Sequence, residues 1–513
     1  MADETLVGPK IGRGPLRVAR DHFERIVQAA IFPESRAVLI AEEAAIALLA
    51  AYFVYARGAM MGAAAAFAIL FGLLFALGSS RFPLALFLGY MAASHQFRSV
   101  ATKQFGGIEW HPREVLLFML LFHWGARLLQ RKAAWRHDLT DIPMLIYGAF
   151  FVEIAVCGLL RETDLHRWIA ECRYPVFLAS YVAFAGLVRD KRTLYHGFWF
   201  LFTLGGAIAG LAILFFLYTL ATGSVINTQN AFGEYVPRQI GPLLLQSVRP
   251  NGHMMFEILL TVLAALFFCP ALSRLQRIGC VLGMGLFGAA IGIGMMRTAY
   301  VTVLLSLVLA GYFLIPSRAA RRSVLAVAII GGVTAALFSA AALYTFLAGI
   351  VPVLGESIRG RFEEIRGAWS LFLQYPLLGA GMGSTFEAMG FVSKTSTLAY
   401  GQAEYQTVHN VWIYFLSKGG IIGFSMAAAA LAGLYGRGVS LIAHARNPVD
   451  RYLLIGLAAS FGGQLVASLA MPRLTYPNGH VYIAIMAACW GVFAHDLRGN
   501  NSADYPPQPQ GLA

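Results

Sequence analysis

Apolar residues run in stretches of roughly 20 along most of this chain, each bounded by charges, proline or glycine. That length lets a helix cross the hydrocarbon core of a bilayer. The runs predict spans at 37–56, 59–79, 82–97, 113–130, 142–160, 174–188, 194–222, 254–272, 278–296, 298–315, 323–348, 409–435, 452–471 and 478–495. The count falls to about 12 if the short third span and one neighbour do not cross. The expected fold is all-α, a polytopic transmembrane helix bundle of about 12–14 spans with one long helical loop on its outer face.

Polar stretches organise the rest. Residues 1–36 are polar and hold no apolar core run, so they predict a cytoplasmic segment and no cleavable signal peptide. N-terminal helices fill 37–222, a first outer loop 223–253, central helices 254–348, a large outer loop 349–408 and C-terminal helices 409–495. The tail 496–513, with its YPPQPQ run, reads as disordered and cytoplasmic. Lys and Arg set this orientation, because they collect in short cytoplasmic loops. The clusters Arg131–Lys132–Arg136, Arg189–Lys191–Arg192 and Arg318–Arg321–Arg322 mark inner-face turns and put both termini inside.

The 349–408 loop carries its own pattern. Ile358, Phe362, Ile365, Trp369 and Phe372 recur as one stripe of an amphipathic helix, which Tyr375–Pro376 ends. Such a helix lies on the membrane surface or caps the bundle. Arg359, Glu363 and Arg366 share its polar side, flanked by Arg361 and Glu364.

Composition sharpens the class. Hydrophobic residues make up 58% of the 513 positions and charged ones 13%, which excludes both a soluble globular protein and a disordered chain. The net charge of +13 is explained by inner-face loops, so no nucleic-acid partner is expected. The five cysteines are scattered without a CxxC pair and read as buried free thiols, with a Cys157–Cys172 bridge as the alternative.

Charges at the membrane are the best pointers to chemistry, because burying them is costly. Arg297 sits in GMMRTAYVTVLL between two apolar runs, where it either snorkels or lines a cavity. Arg249, in SVRPNGHMMFEIL, precedes a helix start and forms an anion-binding corner or pairs with Glu257. His409, in QTVHNVWIYFLSKGG, stands where the large loop re-enters the membrane, as a proton acceptor or as a packing residue beside Asn410. Arg359, Arg361 and Arg366 either bind an anion or pair with neighbouring Glu residues. GAGMG (379–383) lacks the strand and Lys of a phosphate loop and reads as a tight turn. Glu42, Glu43 and Glu153 are the most transporter-like features, but Glu42 and Glu43 are adjacent and so lie on different helix flanks, which gives little support to a proton relay. No Walker, HExxH or GxSxG motif is present, and the outer-face acids are too dispersed for a divalent metal site.

In chain order come RPNGHMMFE, MRTAYVTVLLSL, a long outer loop with an Arg-rich helix and YPLLGAGMGSTF, then HNVWIYFLSKGGIIGF. Over roughly 240–435 this order resembles the O-antigen ligase and polysaccharide polymerase superfamily of bacterial inner membranes. The HN…GG-I-G element and the PLLGAG turn carry the resemblance most specifically.

The resemblance implies a metal-independent, cofactor-free glycosyltransferase acting at the periplasmic face on a polyprenyl-diphosphate-linked glycan donor. The acceptor would be glycan, lipid A-core or protein, and other polysaccharide assembly and export proteins could be partners. Arg297 and Arg249 would clamp the diphosphate, and His409 would activate or orient the acceptor hydroxyl. Arg359, Arg361, Arg366, Asn410, Trp369 and Tyr405 are counted as substrate-binding, the aromatics by stacking on sugar rings together with Tyr375, Tyr400 and Trp412. A polymerase is preferred over a ligase, because the aromatic-rich loop could hold a chain. The competing expectations are a transporter or flippase of envelope glycolipids and a non-catalytic assembly subunit.

Overall fold

The computed structural model describes residues 81–93, 103–105, 108–110, 112–129, 139–188, 190–222, 233–240, 243–250, 253–294, 296–317, 352–394, 397–469 and 471–503. The expected spans 37–56, 59–79 and 323–348, the N-terminal segment 1–36 and the end of the tail lie outside the described residues. So do the side chains of Arg249, Arg297, Ile358 and Tyr400.

Helices dominate. In chain order they are α1 Arg81–Ala93, α2 Pro112–Leu129, α3 Asp141–Leu160, α4 Leu165–Cys172, α5 Ser180–Leu187 and α6 Lys191–Thr222. Then follow α7 His253–Phe267, α8 Arg274–Gly294, α9 Arg297–Leu314 and α10 Pro352–Gln374. The last three are α11 Val411–His444, α12 Pro448–Ala467 and α13 Pro477–Ala503. Most starts fall within a few residues of those the apolar runs predict. The span expected at 174–188 is a 3-10 turn, Pro175–Ala179, running into the short α5.

Among the described residues five helices are long and apolar enough to cross a membrane: α3, α6, α8, α11 and Pro477–Leu497 of α13. Met254–Phe267 and Thr298–Leu314 are shorter apolar helices. Many outward apolar side chains remain uncovered, among them Leu145, Val152, Leu214 and Leu282, as expected of a bundle whose solvent is lipid. The molecule is a helical polytopic membrane protein.

Three antiparallel hairpins interrupt the helices: β1 Lys103–Phe105 with β2 Ile108–Trp110, β3 Gly233–Ile240 with β4 Leu243–Pro250, and β5 Phe386–Lys394 with β6 Thr397–Tyr405. The second falls in 223–253 and the third in 349–408, the two stretches expected as outer loops, so neither stretch is purely irregular or helical. The five cysteines are free.

The core is aromatic where α3 meets α11. Tyr147, Phe150, Phe151 and Phe415 pack edge-on with ring centroids 4.8–6.2 Å apart. A second packing unit joins α7, α9 and α12. Lys191 at the start of α6 holds Asp450 of α12 and Asp496 of α13. Asn410 caps α11, its Oδ1 accepting from the Trp412 and Ile413 amides, and Asn447 caps α12 through the Val449 amide.

A break in α11 explains the glycines around it. Gly420 lies inside the helix at φ 60°, which only glycine adopts without strain. The chain 376–382 lies against this break. The Ala380 and Gly381 amides donate to the Ser417 and Lys418 carbonyls, at 2.8 Å each. In return the Pro376 and Leu377 carbonyls accept from the Ile421 and Ile422 amides, at 2.9 and 3.1 Å. Backbone groups freed by a kink inside a membrane must find such partners. PLLGAG is therefore a clip on the broken helix, and the tight turn expected at 379–383 is present with φ positive at Gly379, Gly381 and Gly383.

Candidate functional site

The centre of the candidate site is a contact between the large loop and α11. Helix α10 turns Glu364 inward, where its side chain is 7% exposed, and its Oε2 lies 2.7 Å from His409 Nδ1. The same oxygen accepts the His409 amide at 3.1 Å. A carboxylate can only accept, so Nδ1–H donates in this contact, and in the neutral imidazole Nε2 keeps the lone pair. The imidazole is 43% exposed, open enough to meet a substrate. Its position is fixed from below by the Asn410 cap and by the Val411 amide, which donates to Ser468 O at the end of α12.

The face that α10 buries differs from the expected stripe. Ile365 and Phe372 pack inward, but Phe362 is 67% exposed and Trp369 45%. The inward face runs through Glu364, Ala368 and Leu371. The cause is the His409–Glu364 contact together with the close approach of β5: Phe386 sits against Gly367, where no larger residue fits. Apolar Phe362 and Trp369 therefore face outward with Arg359 and Arg366.

This rotation sorts the candidate substrate-binding residues. At about 100° per residue, Arg359 and Arg366 lie about 140–160° around the helix from Glu364, and Arg361 only about 60° away. Arg359 and Arg366 are exposed accordingly, and Arg361 is half-buried. Trp369 points away from His409 with Arg366. Asn410 Oδ1 is committed to the helix cap, which leaves its amide nitrogen for any further contact. Tyr375 carries Arg161 over its ring at 4.0 Å, and Trp412 donates to Leu465 O at 3.3 Å.

Tyr405 ends β6, stacks on Phe386 at 6.1 Å and lines a cleft of about 360 Å³. Arg167, Tyr174, Thr385, Gln406, Thr407 and Tyr476 share the lining. Thr407 is two residues from His409, hence within about 7 Å along the chain. Arg167 forms an ion pair of 2.6 Å with Glu404 at this cleft.

Beneath it sits a buried polar knot. Glu171 Oε2 accepts from Lys418 Nζ at 3.0 Å and from the Gly383 amide at 2.7 Å, and its Oε1 accepts from Tyr414 at 2.7 Å. Lys418 also donates to Ser384 O at 2.8 Å. With every partner satisfied, this knot locks the glycine turn onto α11. Burial, and then the charge of Glu171, pushes the neighbouring Cys172 thiol up to about 12.

Arg249 and Arg297 enter as backbone positions. Arg249 stands in β4, opposite Glu234, and Arg297 is the first residue of α9. Val248 O lies 3.6 Å from the Cβ position of Gly294, so β4 reaches the end of α8, three residues before Arg297. The two positions are thus at one end of the bundle. Glu257, offered above as a partner for Arg249, binds Arg473 Nη1 at 2.5 Å and Gln464 Nε2 at 2.7 Å. Arg473 also reaches Thr302 of α9 at 3.5 Å. Arg473 therefore ties α7, α9 and α12 together.

Glu364, Arg473 and the cleft residues other than Tyr405 carry no signal in the sequence that singles them out. Glu364 reads as an ordinary partner for helix arginines, and Arg473 as a short-loop charge.

Residues 282–428 match the family model described as O-Antigen ligase. That places this stretch in the O-antigen ligase and polymerase superfamily. It runs from within α8 to within α11 and contains Arg297, Glu364, His409 and Gly420; Arg249 and Arg473 lie outside it. Comparison with curated proteins found no match. A solved chain from the work described as "Structural coordination of polymerization and crosslinking by a peptidoglycan synthase complex" aligns at 16% identity with a TM-score of 0.36, over 68% of this chain and 95% of that one.

Proposed function

We propose that the protein is a bacterial inner-membrane glycosyltransferase that transfers or polymerises a polyprenyl-diphosphate-linked oligosaccharide at the periplasmic face. The observation that supports this reading most is the His409–Glu364 pair, beside a polar, tyrosine-rich cleft and inside the family segment.

In this reading His409 Nε2 takes the proton of the acceptor hydroxyl. The acceptor oxygen then bonds to the anomeric carbon, and the bond from that carbon to the diphosphate oxygen breaks with its electron pair leaving on the diphosphate. Glu364 holds the imidazole in the productive tautomer and stabilises the imidazolium. Arg249 and Arg297 take up the charge growing on the diphosphate, with permanent charge and paired donors. Arg361 is the loop arginine on the Glu364 side. The cleft at Tyr405 receives the acceptor glycan, and its length of aromatic and polar lining favours a growing chain, hence a polymerase over a ligase.

The test is the surface glycan of the host, compared on a gel for wild type and His409→Ala at matched membrane expression. Loss of long-chain glycan is expected. Single repeats left on lipid A-core would identify a polymerase, and bare lipid A-core with repeats held on the carrier a ligase. An unchanged glycan would overturn the enzyme reading and turn attention to transport.

A further inference from the structure

The connection between α12 and α13 touches both sides of the candidate machinery. At its start Ser468 O accepts the Val411 amide at 2.9 Å, and Leu465 O, just before it, accepts from Trp412 Nε1 at 3.3 Å. These two bonds hold the first turn of α11, which opens two residues after His409. At the far end of the connection Tyr476 lines the cleft and packs on Tyr174, with ring centroids 6.1 Å apart. Arg473 stands between them.

Arg473 reaches into the bundle instead of the cleft. Its Nη1 donates to Glu257 Oε2 of α7, and also meets Gln464 Oε1 at 3.3 Å and Thr302 Oγ1 at 3.5 Å. Gln464 Nε2 donates to the same Glu257 oxygen at 2.7 Å. Thr302 is five residues into α9, whose first residue is Arg297, and Glu257 is one turn into α7. Helix α12 seats directly on both. A Cβ at Gly456 would lie 2.6 Å from Val262 Cα of α7, and one at Gly463 would lie 2.0 Å from Ser306 Oγ of α9. One chain of contacts thus runs from α7 and α9 through Arg473 and Gln464. The Gln464 carbonyl takes the Ser468 amide at 3.0 Å, and Ser468 holds the turn that presents His409.

Stability alone does not explain such a pair, because well-packed apolar residues in its place are often as stable or more so. Contact with substrate does not explain it either, since Arg473 is 7% exposed and Glu257 fully buried. What the pair supplies is a single arrangement, as a planar guanidinium shared among three acceptors tolerates few alternatives. We propose that Arg473, through Glu257 and Gln464, is a positioning residue that fixes His409 and the cleft relative to the starts of α7 and α9. This role rests on the transfer reaction proposed above. There, a base on one side and arginines on the other act on one anomeric centre, and a displacement of about 1 Å between them costs up to about 100-fold in rate.

The experiment compares wild type, His409→Ala, Arg473→Lys and the double variant Arg473→Leu/Glu257→Leu, each as the full chain in detergent or nanodiscs. Melting temperature reads the fold. Initial rates over a range of lipid-linked repeat extracted from the host separate kcat from KM. The double variant replaces the pair by apolar side chains, so its melting temperature should stay near that of wild type. Its kcat should fall about 10- to 100-fold. Its KM for the donor should move less than about threefold, because neither residue touches substrate. Arg473→Lys keeps a charge for Glu257 without the fork that also reaches Gln464 and Thr302, and should lose less rate than the double variant. A double variant that both melts and turns over like wild type would overturn the proposal, as would a rate loss carried by KM alone. If the double variant does not fold, Arg473→Lys decides: a lower kcat at the wild-type melting temperature supports positioning, and a wild-type kcat overturns it. A slow His409→Ala beside a fast double variant removes positioning alone. A His409→Ala as fast as wild type removes the transfer mechanism, and this role with it.

Discussion

At the scale of residues, two side chains from distant segments make the candidate centre. Glu364 and His409 are 45 positions apart and meet at 2.7 Å. His409 is visible in the sequence because it begins a helix at a loop boundary. Glu364 is hidden, since beside Arg361 it reads as helical pairing, and its true partner is set by how α10 folds back. Asn410 is legible in kind, as an asparagine before an apolar run, and its oxygen does serve as a cap. Cys172 offers a test of the local electrostatics. A thiol pushed up to about 12 stays protonated from pH 7 to 9, because its thiolate forms only as the pH approaches that value. In a variant keeping Cys172 alone, maleimide labelling at pH 8 should be roughly a thousandfold slower than for an ordinary exposed thiol. Labelling at the ordinary rate would show that the Glu171 knot is open.

At the scale of elements, the break in α11 is the feature the sequence announced without explaining. KGGIIG and PLLGAG stand out as glycine clusters, and the structure shows that they are two sides of one junction. A Cβ at Gly420 would lie 2.3 Å from Leu377 O, and one at Gly379 would lie 2.1 Å from the Lys418 carbonyl carbon. Gly420→Ala should therefore cost at least about 1–3 kcal/mol, from the positive φ alone, and lower the melting temperature in detergent. An unchanged melt would mean that α11 runs straight. The strands were not legible. In β3 and β4 the proline at 237 and the run Leu243–Leu245 obscure the alternation of period two, and β4 and β5 are placed by packing on helices, β4 on α6 and α8 and β5 on α10. The α10 stripe was half legible, because hydrophobic periodicity marks an amphipathic helix but not which apolar side chains face protein and which face the membrane boundary.

At the scale of the whole molecule, apolar runs located the described helices well, since each must be long enough to cross or to fill the bundle. What they could not give is how the helices are tied. Arg473 and Glu257 are 216 positions apart and join three helices through one buried ion pair. Removing one partner leaves a buried charge, so Arg473→Leu alone should destabilise by about 3–5 kcal/mol. The double variant Arg473→Leu/Glu257→Leu should recover much of that in the same unfolding measurement. If the two losses add, the pair does not hold the bundle together.

The central claim is that Glu364 acts through His409, and a double-mutant cycle on product formation tests it most directly. Membranes carrying wild type, His409→Ala, Glu364→Gln and the double variant, at matched expression, would be compared for the rate at which lipid-linked glycan is converted to long-chain or ligated product. His409→Ala should lose about 10²–10⁴-fold, Glu364→Gln a smaller factor, and the double variant no more than His409→Ala alone, because residues acting as a unit are not additive. Losses that multiply, or a Glu364→Gln enzyme as fast as wild type, would contradict the account.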